Sequence, residues 1–317
     1  MAYKVLELLG YYRVKKNVKH RLFCRKLQKE DEKRKREVRT AIDSLHGRQL
    51  DNGGDSSDII VSLTSYGVRV NDTLPYTLYS LLLQTRLPDR IVVWLDNVNW
   101  KGSNLPPILK KFEEFGVEFF FVEDMRSYKK LIPALEMFPD NVIITVDDDL
   151  YYNPHTIEWL IDAYQKSDKR SVIGTWAYRP KAKEGHYLPY STWREEEPGQ
   201  SLEEYSLIGC GGILYPPHIF DDEILKKDLF MKMAPTADDL WFWVMEKRLG
   251  IPVKLIENGG YGLHEAVNRI DVWEPNREGS LYYINEINGA NDTQFKYLII
   301  HYSLSPSLDS VPSHAID

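Results

Sequence analysis

The chain has 317 residues, 43% of them hydrophobic and 12% aromatic, enough to enclose one large core or two modest ones. Its formal net charge of -7 conceals a split, with Lys and Arg crowded between Arg13 and Arg39 and an acidic remainder, which argues against a nucleic-acid partner for the main body. Cys24 and Cys210 sit in no metal-ligand or disulfide pattern and point to a reducing compartment, the cytoplasm.

In chain order, Val5, Leu6, Leu8 and Leu9 form an apolar start, but Glu7 interrupts it and no small-residue cleavage site follows, so no signal peptide is expected. No stretch reaches the roughly 18 to 20 apolar residues of a membrane-spanning helix. Over 4–45 there is no proline, and apolar residues recur at Leu8, Tyr11, Val14, Val18 and Leu22, which predicts one or two helices in an extension over 1–50. Arg13, Lys15, Lys16, Lys19, Arg21, Arg25 and Lys26 make its polar face basic. Two readings stand: a solvated face of a helix packed on the body or on a second copy in a homodimer, or a peripheral contact with anionic head groups on the inner face of the membrane. The Asn-, Gly-, Asp- and Ser-rich run 49–58 predicts a linker.

Next, Ile59-Ile60-Val61-Ser62-Leu63-Thr64 reads as a buried strand. A helix over 74–84, a strand over 90–95 ending at Asp96, a helix over 104–115, a strand over 117–122, a helix over 128–138 and a strand over 142–146 follow. This alternation with short connections predicts an α/β fold, a mostly parallel sheet flanked by helices, in a domain over 58–265. Ligands of such sheets lie beyond the carboxyl ends of the strands, where Thr64, Asp96, Asp124 and Asp147 gather. The Pro- and Gly-containing stretch 181–201 predicts an ordered loop or flap. A strand region over 205–215 is broken by Gly209, Gly211 and Gly212; a helix over 238–249 and a last strand over 253–256 come after it, and 266–317 is expected to pack on the domain.

Asp147, Asp148 and Asp149 directly follow a buried strand, and three adjacent like charges call for a cation. Alternation at a strand end lets Asp147 and Asp149 point one way and Asp148 another. Their hard oxygens suit magnesium or manganese, which keep waters and bind substrate phosphates. Such an ion would stabilise charge developing on a departing diphosphate. The alternatives are carboxylates capping a helix that begins near Asn153-Pro154 and the Asp-x-Asp of an aspartyl phosphatase, against which stands Tyr151 where a Thr or Val is usual.

Leu63-Thr64-Ser65-Tyr66, Gln84-Thr85, Arg90-Ile91-Val92-Val93-Trp94-Leu95, Lys129-Lys130-Leu131-Ile132-Pro133-Ala134-Leu135 and the aspartate cluster together resemble bacterial GT-A-fold glycosyltransferases over about 58–264. The likeness is to the large inverting family that uses nucleotide diphosphate sugars, of the capsular polysaccharide or lipopolysaccharide type. It implies that Thr64, Ser65, Tyr66 and Arg69 hold the base and ribose, that Asp96 meets the uracil or its equivalent, and that Lys130 neutralises donor phosphate. Asp147 and Asp148 would lie on the donor side, with Asp147 near the metal and Asp149 its direct ligand. His264 stands where many such enzymes carry a third metal ligand, with His301 as its competitor.

Thr236-Ala237-Asp238-Asp239 resembles the family's acidic pair, whose second member is the base, here Asp239, with Asp238 second. Gly211 and Gly212 would allow close approach of donor or acceptor, and one of Trp241 and Trp243 would meet the acceptor while the other joins the core. Each assignment has a structural alternative: a solvated helix start at Lys129 and Lys130, helix capping by Thr236 and Asp239, a strand bulge at the glycines, a structural His264, and core packing of both tryptophans. Ala237 and the Thr-Ser-Tyr opening depart from the commoner pattern. The implied activity is inverting transfer of a sugar, a hexosyl group, from a UDP-sugar to a glycan or lipid-linked glycan. A non-catalytic carbohydrate-binding or assembly protein of the same fold, and a metal-dependent phosphatase, are the competing functions.

Overall fold

The computed structural model describes residues 2–45, 50, 59–195, 205–260, 262–269 and 283–306. The expected linker, Leu50 apart, the end of the expected flap and the side chains of residues 2–18 lie outside that set. The extension is a single helix, α1 (Ala2–Asp43). Cys24, Leu27, Asp31, Lys35, Val38 and Ile42 are buried, a spacing of three and four that lays one face on the body. Leu22, expected on an apolar stripe, is 59% exposed instead. The docked face is set by a register that uses two charged residues as core positions, each matched by a partner: Lys35 donates to Asp72 at 2.6 Å, and Arg269 donates to Asp31 at 2.6 Å. Leu50 is buried and its amide donates to the Phe115 carbonyl.

After it come β1 (Ile59–Thr64), α2 (Arg69–Asp72), α3 (Leu74–Leu82), β2 (Arg90–Asp96), α4 (Pro107–Glu114), β3 (Val117–Val122), α5 (Ile132–Met137) and β4 (Val142–Val146). α4 starts later than the expected 104 because Pro107 holds Pro106 in an extended conformation. The expected helix 128–138 is divided into a 3-10 turn, Arg126–Lys130, and the short α5, which carries Pro133 in its first turn. Beyond β4 lie β5 (Leu150–Tyr151), α6 (Thr156–Lys166), β6 (Val172–Gly174), β7 (Ala177–Arg179), the β8 (Ala182–Lys183) and β9 (His186–Tyr187) hairpin, β10 (Arg194–Glu195), β11 (Ser206–Leu207) and β12 (Ile213–Tyr215). The chain continues through α7 (Lys227–Met233), α8 (Asp238–Leu249), β13 (Val253–Leu255), β14 (Glu265–Ala266), a π-helical turn (Tyr283–Ile287) and α9 (Ala290–Tyr302).

Seven strands form the main sheet in the order β13-β6-β12-β4-β1-β2-β3. β1 pairs in parallel with β2 and β4, β2 with β3, and β6 with β13, while β12 is antiparallel to β4 and β6. The expected mostly parallel sheet with helices on both faces is therefore present. Period-2 alternation divides the strands between two cores. Ile60, Val92, Trp94 and Ile143 face α5, α7, α8 and α9, whereas Val61, Leu63, Ile91, Val93 and Ile144 face α1, α3, α4 and α6. Parallel register brings the ends of β1, β2, β3 and β4 to one edge, and the next residues of the chain there carry the polar groups.

Candidate active site

The carboxyl edge of the sheet collects five aspartates around two cations. At its centre is Lys130, last residue of the 3-10 turn, whose side chain is only 5% exposed. Its Nζ lies 3.1 Å from Asp147 Oδ1, 3.0 Å from Asp238 Oδ2 and 3.6 Å from Asp239 Oδ1. Burial pulls the ammonium down, but the three carboxylates outweigh it and hold Lys130 well above the ordinary lysine range. Lys129 is buried too and pairs with Asp124, so neither lysine is a solvated helix start.

The second cation, Arg69 of α2, forks across the loop after β4: one arm is 2.8 Å from Asp148 and the other 3.0 Å from Asp149. Asp148 also accepts from the Ser65 hydroxyl and is 3% exposed. Burial pushes the Asp148 carboxyl up, with Arg69 and Ser65 pulling the other way. The side chains of Asp147 and Asp149 stay about a third open, 32% and 33%. None of the three caps α6, whose preceding residue is His155.

Tyr152, unremarked in the sequence, braces the loop: its hydroxyl accepts from the Asp147 amide and donates to the Cys210 carbonyl, each at 2.8 Å. Its position directly behind the aspartates was the available signal.

Asp238 and Asp239 open α8, where helix amides favour negative charge. Their carboxylates turn toward the site. Ser127, another residue the sequence reading missed, donates to Asp238 at 2.8 Å, and the Gly209 amide donates to Asp239 at 2.9 Å. Thr236 does not cap the helix; its hydroxyl is bound elsewhere, 2.6 Å from Asn285. Burial pushes Asp239 up to about 7, opposed by Lys130 and reinforced by Asp238. Its side chain retains 29% of its surface against 9% for Asp238; Oδ1 is buried beside Lys130, and Oδ2 is the oxygen that accepts from the Gly209 amide.

Gly209–Gly211 is a 3-10 turn, not a strand bulge. A Cβ on Gly209 would stand 2.5 Å from Lys130 Nζ and 2.6 Å from Asp239 Oδ1, and one on Gly211 would stand 2.3 Å from Thr175 Oγ1. Gly212 has φ +99°, a conformation open mainly to glycine.

The remaining expected residues divide. Tyr66 is 47% exposed at the rim, 5.3 Å from the Arg69 guanidinium. The Thr64 hydroxyl donates to the Trp94 carbonyl, tying β1 to β2. Asp96 is buried and accepts from the amide and side chain of Asn99, closing the turn after β2. His264 uses both ring nitrogens: Nδ1 accepts from the Asn153 amide at 3.2 Å, and Nε2 donates to the Gly211 carbonyl at 2.8 Å. Burial lowers it to about 4, a neutral imidazole that ties β14 to the glycine turn. His301, near the end of α9, is exposed. Trp241 is fully enclosed, donating to the Ile224 carbonyl, and Trp243 is 2% exposed, so neither ring meets an acceptor in this conformation and both belong to the core.

Five carboxylates against two cations leave a strongly negative pocket, the wrong sign for a phosphate-bearing substrate unless a further cation enters with it. Among the described residues no three His, Cys, Asp or Glu side chains are grouped to hold a metal by themselves. The half-open oxygens of Asp147 and Asp149 fit a hard divalent ion that completes its shell with water and phosphate, the usual habit of magnesium.

An α/β sheet with an acidic strand-end loop, a cation-bridged second acidic pair and a tightly packed glycine turn is an arrangement that suits group transfer. Residues 60–226, more than half of the chain, match the model of glycosyl transferase family 2, and the chain belongs to that family. No curated protein sequence matches it significantly. Similar solved structures include glucosyl-3-phosphoglycerate synthase from Mycobacterium tuberculosis in complex with Mn2+, UDP-glucose and phosphoglyceric acid, at 14% identity over 82% of this chain and 84% of that one, with a TM-score of 0.45. S. aureus TarS 1–349 aligns at 18% identity over 80% and 76% of the two chains, TM-score 0.40. CMP:2-keto-3-deoxy-manno-octonic acid synthetase complexed with CTP aligns at 10% identity over 69% and 96%, TM-score 0.42.

Proposed function

We propose that this glycosyltransferase is metal-dependent and inverting, moving a hexosyl group from a UDP-sugar to a hydroxyl of a glycan or lipid-linked glycan in surface polysaccharide biosynthesis. The observation that carries this reading is Lys130, which stands between a half-open donor-side carboxylate, Asp147, and a half-open base candidate, Asp239. Asp147 and Asp149 would hold Mg2+ or Mn2+, which when bound supplies positive charge to the leaving diphosphate. Ser65, Tyr66, Arg69 and the Thr64 and Asp96 strand ends form the nucleoside side of the pocket; Arg69 also fixes Asp148 and the loop that bears the metal ligands. Asp239, oriented by the Gly209 amide, takes the proton from the attacking hydroxyl. With a single base on the acceptor side, the sugar is displaced once and its anomeric configuration inverts. Gly211 and Gly212, expected to admit donor or acceptor, are instead buried against Thr175, Trp176, Leu160 and Thr156, so they let the protein's own side chains close on the turn that carries the Gly209 amide.

The test is purified protein with Mn2+ and a panel of nucleotide sugars. UDP release should depend on metal and disappear in Asp149→Ala, while Asp239→Asn should keep UDP binding and lose turnover. Absence of UDP binding by calorimetry with Mn2+ present sinks the reading. Among the described residues no helix is long and apolar enough to cross a membrane. Leu22 and Phe23 are exposed on α1 beside exposed Lys19, Arg21, Arg25 and Lys26, and we extend the proposal to a peripheral contact of this face with anionic lipid in the cytoplasm. Flotation with phosphatidylglycerol vesicles should fall on deletion of residues 2–23; equal flotation removes the extension.

A further inference from the structure

Residues 234–237, the approach to the acidic pair, are held from two directions. On the donor side, the Tyr128 hydroxyl donates to the Ala234 carbonyl at 2.6 Å and Arg126 to the Pro235 carbonyl at 3.0 Å. On the other side Thr236 meets two side-chain amides from beyond the family match. Its amide donates to Gln294 Oε1 at 2.9 Å, and Gln294 Nε2 donates back to Thr236 Oγ1 at 2.9 Å. Its hydroxyl donates to Asn285 Oδ1 at 2.6 Å, and Asn285 Nδ2 donates to the Thr236 carbonyl at 2.7 Å. Every polar group of Thr236 is thereby satisfied, two residues before Asp238, in a place where Thr236 is 8% and Gln294 5% exposed.

From this closed set of hydrogen bonds we infer that Asn285, on the π-helical turn, and Gln294, on α9, are positioning residues that fix Asp238 and Asp239 against Lys130. The inference rests on Asp239 as the base. Removing either amide strands buried donors and acceptors of Thr236, and the segment escapes the penalty only by moving. The contacts it carries have little tolerance: Asp238 lies 3.0 Å from Lys130 Nζ, and Asp239 lies 2.9 Å from the Gly209 amide. A displacement of about 1 Å breaks both, which for a misplaced reacting group corresponds to roughly 100-fold in rate. The donor-side carboxylates belong to the loop after β4 and are not carried by this segment.

The experiment compares full-length wild type, Gln294→Leu and Asn285→Ala in Mn2+-dependent UDP release from UDP-glucose, in UDP affinity by calorimetry, and in hydrogen exchange of residues 236–240. A fall in kcat of about 100-fold with UDP affinity within about 2-fold, and exchange at 236–240 faster by at least about 10-fold, supports the assignment. An unchanged kcat, a loss confined to KM for the donor, or unchanged exchange overturns it. If Gln294→Leu fails to fold, Asn285→Ala, at a half-buried position, decides. If wild type releases no UDP from UDP-glucose or from any other UDP-sugar of the panel, the functional reading fails by itself, and the exchange at 236–240 still decides whether the two amides hold the segment.

Discussion

Exchanging Lys130 for Met keeps the length of the side chain and removes the one ammonium that three carboxylates share. At about 3 Å and an effective dielectric near 20, each contact is worth roughly 5 kcal/mol before desolvation. Removing one partner of a buried charge group typically costs about 3 to 5 kcal/mol, because the others are left unpaired. Asp147 and Asp239 keep 32% and 29% of their side chains in water, which places Lys130→Met near the lower end, about 3 kcal/mol. For a chain of 317 residues, at about 2.1 cal/mol/K of unfolding entropy per residue, that is a fall in Tm of about 4 to 5 °C.

The pH dependence is the sharper readout. In the variant the carboxylates are buried without a counter-charge, so their folded pKa values rise above the unfolded ones, and stability is lost as pH climbs through the raised values. The deficit relative to wild type should therefore widen from pH 5 to pH 8 in metal-free thermal or urea unfolding. A shift below about 2 °C at pH 8, or a deficit equal at both pH values, would refute the charge-sharing argument.

Gly209→Ala, whose Cβ would crowd Lys130 Nζ and Asp239 Oδ1, should lower turnover about 100-fold. Tm should move little, because the crowded atoms are side-chain ends; wild-type rates would count against the cradle. His264, neutral in the fold with a value near 4 against 6.5 unfolded, contributes stability that is complete above pH 6.5 and lost as pH falls toward 4. The span is worth about 3 kcal/mol, and His264→Gln, which keeps one donor and one acceptor, should flatten urea midpoints over that range. Lys35→Met, breaking the 2.6 Å contact with Asp72, should speed tryptic cleavage within α1 by about 10-fold, and unchanged cleavage would mean that apolar packing alone docks the helix.

The parallel sheet was legible because β1 through β4 are short apolar runs separated by helices, a pattern set by burial on both faces. The ends of elements were harder: Pro106 and Pro107 moved the start of α4, and Pro133, which has no amide to bond the Lys129 carbonyl, divided an expected helix into a 3-10 turn and α5. That turn is what buries Lys130, so its three partners could not be inferred from its position in a helix pattern. Asp148 and Asp149 were visible as a charged cluster, but their joint pairing with Arg69 depends on α2, which lies some 80 residues earlier in the chain. The fate of Trp241 and Trp243 turned on how many elements cover α8, and α9 supplies cover, through Phe295 and Leu298, that no local pattern announces. Asn285 and Gln294 were invisible for the same reason, since a lone amide gains meaning only from the backbone it meets.

The long first helix grips both walls of the carboxylate pocket. Lys35 and Arg39 hold Asp72 and Tyr76, just beyond Arg69, while Arg34 lies 3.8 Å from the ring centroid of Tyr151 and pairs with Glu265, neighbours of Asp149 and His264. The 22 residues ahead of Cys24 prolong this splint by about 33 Å of helical rod at about 1.5 Å per residue. Whatever anchors the far tip would then hold the pocket at a fixed standoff, so the reach demanded of an acceptor is measured from a rigid strut rather than from a slack leash.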